Sequence, residues 1–328
     1  MNPYTESIRR FRKVPGNVFI NWEKLYHFAR DLAQKDLNLP DWTAPVFPEV
    51  CDDDFIRFIV VVNSINYCFT DPKTETKYDA KYQGKVLEGA FAMIACVKRA
   101  LDEGIPMTDP FFLRNISYDH ARHIFRCHST EIPMFQTRVM QLRRLAIDLG
   151  EAGMTDFADI FKRADFYVWR EDGDSILGIL ENFNSYQDFR TCKGHTLKFQ
   201  KRAQLLPMMY YGRAASSQGK LVQIHDPEHI GPISDYQVPR ALREIGILEY
   251  CLTLAYRIDV LKAPFFENST SEVDIRVNTV LAMAGLLERI NARRSDDRQI
   301  TMAELDYMIW QAGRKVKTPH HYIYTTAY

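Results

Sequence analysis

The chain has 328 residues, 46% hydrophobic and 26% charged, enough for one large domain or two ordinary ones. Lys and Arg total 42 and equal Asp and Glu at 42, so the net charge is zero. That balance argues against broad binding to long nucleic acid, which needs a basic surface, but leaves room for a single nucleotide.

The N-terminal stretch from Met1 to Lys13 is polar and basic and has no apolar signal core. No apolar run approaches the ~20 residues that span a bilayer. A cytoplasmic protein with no membrane association is the expectation. The six cysteines (Cys51, Cys68, Cys96, Cys127, Cys192 and Cys251) form no C-x-x-C pair, so reduced thiols are expected.

Helical period dominates the chain. Phe55 to Val62 is apolar and β-branched and reads equally as a strand or a buried helix start. Beside it, Asn66-Tyr67-Cys68-Phe69 sets aromatics next to polar groups, suited to core packing or to stacking a flat base. Val86, Phe91, Ala95 and Leu101 fit one helical face that Gly104 and Pro106 end. Ser117 opens another helix with Ile124 and Phe125 as its apolar pair, and Pro133 to Leu149 carries a long pattern. In the former, His120, His123 and Cys127 share a face, but no fourth ligand accompanies them and hydrogen-bonded helix residues explain them. Thr196 to Phe199 is predicted to be briefly extended, and residues 216–233 are the most loop-like interior segment. Helices are predicted after Pro239, over Val277 to Ile290 and over Met302 to Trp310. The whole reads as one all-α domain over residues 1–328, with roughly ten to fourteen helices of typical length.

Two segments about thirty residues apart carry the chemistry. In Lys201-Arg202-Ala203-Gln204, Lys201 shares a face with Leu205 and Met208. It suits either a snorkelling surface lysine or a contact to phosphate or carboxylate. In Ser234-Asp235-Tyr236-Gln237-Val238-Pro239, Asp235 is an ordinary cap if the helix starts at Tyr236. If Pro239 marks the first helical position, Asp235 lies too early to cap and is free for work on positive charge. Glu272 and Asp274 in Ser271–Arg276 fit a helix start, where a carboxylate also suits ribose hydroxyls. Phosphate-loop, dinucleotide and nucleophile-elbow motifs are absent.

Taken in order, several segments resemble the queuosine salvage family across nearly the whole chain. They are Val18–Asn21, Asn66–Phe69, Ala100–Pro106, Arg122–Arg126, Lys201–Gln204, Asp235–Pro239, Glu272–Arg276 and the His320-His321 tail that closes at Tyr328. The resemblance implies an all-helical fold similar to helix-hairpin-helix DNA glycosylases, with no metal or organic cofactor. It implies release of queuine, a 7-deazaguanine base, from queuosine 5′-phosphate, a small nucleotide substrate. On that footing Asp235 is assigned to the developing ribose cation, Lys201 to the phosphate or sugar side, and Phe69 to the base face. Tyr236, Asp188 and Glu272 are expected in the pocket. A second acid that helps the base depart is required, and no residue is assigned to it. The competing expectations are a non-catalytic binding protein for a modified nucleotide and a base-excision enzyme.

Overall fold

The computed structural model describes residues 2–11, 16–50, 52–192 and 194–328, so Cys51 and part of the basic N-terminal stretch lie outside the described residues. Fourteen α-helices are described, and they hold about half of the chain. The all-α expectation is corrected by six short strands in three antiparallel pairs. Each strand has only three or four residues, too few for alternation to stand out from helical period.

Local chemistry explains each pair. Asp79–Tyr82 turns back on Lys85–Glu88 through Gln83 and Gly84, whose φ values are +46° and +77°. Two successive left-handed residues are what a tight two-residue hairpin requires. Val86 therefore belongs to a strand, and the helix expected to include it begins at Ala90 and runs to Asp102. Phe189–Cys192 pairs with His195–Lys198, which places the extended segment expected near Thr196 in a hairpin. Val18–Ile20 pairs with Leu248–Tyr250, tying the start of the chain to a late segment.

The ambiguous apolar run resolves as the Asp53–Ser64 helix, capped by the Asp52 carboxylate on the Asp54 N–H. From Ile59 to Ser64 it is fully buried, as a central helix must be when packed on several sides. The Lys201–Ser216 helix packs against it, and Phe135–Glu151 packs on another side. Gly212 lets the segment around Pro40 and Trp42 lie against the Lys201–Ser216 helix: a Cβ there would sit 1.9 Å from the Pro40 carbonyl oxygen. Thr270–Asn291 crosses the other half of the core, and Gln237–Ile245 lies against Met302–Lys315.

Behind the packed helices runs a buried ionic network. Arg276 donates to both Asp188 oxygens at 2.7 and 2.6 Å, with neither side chain exposed. Glu272 faces Arg190 at 3.3 Å and Arg276 at 3.8 Å. Burial opposes ionisation of Asp188, yet the two arginines bring its carboxyl below the usual range. Burial pushes Glu272 up instead. Replacing Arg276 with Met strands the Asp188 and Glu272 carboxyl groups in the core. The expected loss is about 3–5 kcal/mol of folding free energy, read from the shift in a urea unfolding midpoint.

Candidate active site

A cavity opens where the Ala90–Asp102, Lys201–Ser216, Gln237–Ile245 and Met302–Lys315 helices converge. Lys201, Asp235, Tyr236 and Phe69 all line it. Asp188 and Glu272 are not among its lining residues and belong to the network behind it.

The polypeptide fixes Lys201 at both ends. Its backbone N–H donates to Asp188 Oδ2 at 3.0 Å, and its Nζ donates to the Asn66 carbonyl at 3.1 Å. The Asn66 loop is itself held by Arg138, fully buried, which donates to the carbonyls of Ile65, Tyr67, Cys68 and Pro133. The same arginine lies over the rings of Tyr67 and Phe69, 4.3 and 5.0 Å from their centroids, which fixes Phe69 in the wall. Asp188 thus acts on the site through the position of Lys201.

Asp235 caps a helix and lines the cavity at once. Its Oδ1 accepts from the backbone N–H groups of Gln237 and Val238, at 2.7 and 2.9 Å, and so caps the Gln237–Ile245 helix. The carboxyl group remains part of the cavity wall, although the residue is only 6% exposed. Pro239 falls in the first turn of that helix, where its missing N–H costs nothing.

A third ionisable group completes the floor. Asp306, on the Met302–Lys315 helix, lines the cavity and is 4% exposed; its Oδ2 accepts from the Ile233 N–H at 2.9 Å. Asp235, Asp306 and Lys201 act on one another electrostatically. Burial pulls Lys201 down to about 8, against the attraction of Asp235. Burial pushes the Asp235 carboxyl up, while Lys201, its two N–H partners and Trp310 oppose that. Burial drives Asp306 well above the usual carboxylate range, and the charge on Asp235 drives it further. Asp306 has one N–H donor where Asp235 has two. The same burial therefore raises Asp306 further than Asp235, which has the additional N–H donor and the charge of Lys201 to favour its ionised form.

Asp306 was not among the residues expected at the site. Nor was an aromatic wall expected. Trp42 meets Tyr307 edge-on at 5.5 Å, Tyr307 stacks on Trp310 at 6.1 Å, and Trp310 meets Phe91 at 6.1 Å. All four line the cavity. The signal was an acid and aromatics at helical spacing, Asp306-Tyr307 followed by Trp310. Tyr236 stacks on His320 at 4.3 Å, which seats the C-terminal segment against the site. Tyr328 lines the cavity as well and is held by His321 and Glu272, at 3.0 and 3.3 Å. The histidines and cysteine at positions 120, 123 and 127 lie elsewhere, His123 pairing with Glu103 at 3.1 Å. Among the described residues no group of three or more His, Cys, Asp or Glu side chains is placed to hold a metal.

The upward shift of the buried Asp306 carboxyl predicts a pH signature. Its folded-state affinity for protons exceeds that of the unfolded chain. It therefore costs stability as pH rises above the unfolded value near ~4 and toward its raised native value. Asp306→Asn is expected to be more stable than the parent at pH 7, with the difference closing on acidification to about pH 4. Chemical denaturation across that range checks this, and a difference that grows on acidification contradicts it.

Residues 46–328 match the family described as queuosine salvage protein. A relative in Sphaerobacter thermophilus, named queuosine 5′-phosphate N-glycosylase/hydrolase, is 28% identical over 98% of this chain and 96% of its own length. A Bos taurus protein of the same name is 27% identical over 94% of this chain and 92% of its own. One from Mus musculus is 28% identical over 82% of this chain and 79% of its own.

Proposed function

We propose that this chain, which belongs to the queuosine salvage protein family, hydrolyses the N-glycosidic bond of queuosine 5′-phosphate to queuine and ribose 5-phosphate. The observation that carries the reading at the level of residues is the floor of the cavity. Two buried carboxyl groups, Asp235 and Asp306, and the Lys201 ammonium lie there, under an aromatic wall.

The chemistry demands that combination. As the bond between the ribose C1′ and the base nitrogen breaks, its electron pair leaves with the base and positive charge builds on the ribose. An ionised carboxylate beneath the sugar stabilises that charge or attacks C1′, as in glycosidases. Asp235 is assigned to this role, or to activating the water that adds to C1′. A 7-deazapurine has no N7 to accept a proton, so the departing base needs a donor at another atom. Asp306, kept neutral by burial, is assigned as that donor, on the same logic that separates acid from base in other carboxyl pairs. Lys201 holds Asp235 ionised at the pH where Asp306 keeps its proton. Phe69 and the wall formed by Trp42, Tyr307 and Trp310 accept the flat base by stacking.

The substrate is read as a small nucleotide feeding tRNA modification, within one domain. The five described cysteines are free thiols, which fits a reducing compartment such as the cytoplasm. No described helix is long and apolar enough to cross a membrane.

Incubation with queuosine 5′-phosphate and chromatographic detection of free queuine tests the reading. Asp235→Asn keeps an oxygen to cap the helix, so its unfolding midpoint is expected to hold. Its kcat is expected to fall about 100- to 1000-fold, the scale of removing one transition-state charge contact. Binding of substrate without any release of queuine by the parent chain would identify a carrier instead, and activity retained in Asp235→Asn would remove that residue from the chemistry.

A further inference from the structure

The cavity has two electrostatically different ends. Asp306, Trp310 and Arg314 recur every four residues on the Met302–Lys315 helix, and all three line the cavity. At 1.5 Å per residue, the eight-residue step from Asp306 to Arg314 covers about 12 Å. One helix face therefore runs from the floor to the rim, a reach comparable to that of a nucleotide from base to phosphorus.

At the floor the positive charge is already committed. Lys201 faces Asp235 and Asp306 and spends a proton on the Asn66 carbonyl. A phosphate placed there would bring its charge against the Asp235 carboxylate in a site poorly screened by water. The rim differs. Arg314 is exposed, with its guanidinium 5.2 Å from the Phe91 ring centroid and 5.1 Å from that of Trp310. It has no carboxylate partner among the described residues. Stacking on two rings restrains the planar group without using its N–H donors.

Lys77 stands on the same rim, paired with Glu88 at 3.2 Å, with side chains 36% and 62% exposed. Such a surface pair is weak and exchanges readily for a stronger anion. Glu88 also borders the cavity, and its exposure lets the carboxylate turn to water. Between them Gly89 brings the backbone close: a Cβ there would lie 3.0 Å from the Lys77 Cε. Gly89 precedes the Ala90–Asp102 helix, which has no side-chain cap, so its first N–H groups add a favourable field to a place the two cations define.

We propose that Arg314 and Lys77 form the subsite for the substrate's 5′-phosphate, and that they set the preference for nucleotide over nucleoside. The proposal rests on the glycosidase reading and moves the phosphate from Lys201 to the rim. Arg314 is to the phosphate what Asp306 is to the base, two turns apart on one helix.

The test compares kcat/KM for queuosine 5′-phosphate with kcat/KM for queuosine in the parent, Arg314→Gln, Lys77→Met and the double variant. The ratio of the two is expected to fall about 10- to 100-fold in Arg314→Gln, the scale of one charge-assisted contact, and further in the double variant. Calorimetry with ribose 5-phosphate is expected to show matching losses of affinity. A ratio and a ribose 5-phosphate affinity both unchanged in the double variant overturn the proposal. If the parent releases no queuine from either substrate, the glycosidase reading falls, and ribose 5-phosphate binding alone then decides whether the subsite stands.

Discussion

The attraction between Lys201 and Asp235, in a floor shielded from water, is the constraint on which the site depends. Neither group would hold its charge there alone, because burial pushes the lysine down and the carboxyl up. Each favours the charged form of the other, and the charge of Asp235 adds to burial in raising the neighbouring Asp306. The acid and base of the proposed reaction are thus assigned by one lysine.

Much of the surrounding structure serves to place that lysine. Its backbone is held by Asp188, which Arg276 fixes, and its ammonium is held by Asn66, in a loop that Arg138 fixes. Both arginines are fully buried. Arg202, also fully buried, donates at 2.5 Å to the carbonyls of Ser64 and Ser185, on either side of the same floor. Buried arginines are poor devices for stability, since the desolvation of each charge offsets what its partners return. They are good devices for position, because a planar fork bonded to several carbonyls has few alternative geometries. The fold therefore accepts costly polar groups around the cavity while its apolar core stays packed without them.

What could be read from the chain followed how local each signal was. Asp235 and Lys201 were legible because each sits in a compact segment resembling a known family. Asp235 was read as either a cap or a catalytic group, and the structure joins capping to a place in the cavity wall, since one oxygen serves the helix. The role of Asp306 was not legible. In sequence it is one more acid on an amphipathic helix, and only convergence with Asp235 and Lys201, some 70 and 105 residues away, gives it meaning. Asp188 and Glu272 were expected in the pocket, yet the long-range pairs Asp188–Arg276 and Glu272–Arg190 draw them behind it. The strands were missed for a different reason: three or four residues cannot display a period, and the Gln83-Gly84 turn gave the only local cue for its hairpin.

The measurement that bears most directly on the central pairing is the pH dependence of kcat/KM for queuine release, in the parent and in Lys201→Met. In the parent, activity is predicted to fall as pH rises past about 8, where Lys201 loses its proton. In the variant that fall should vanish, and the acid limb should move to higher pH, because Asp235 has lost its cation. Two limbs at unchanged positions in the variant would contradict the account, since Lys201 would then set neither charge.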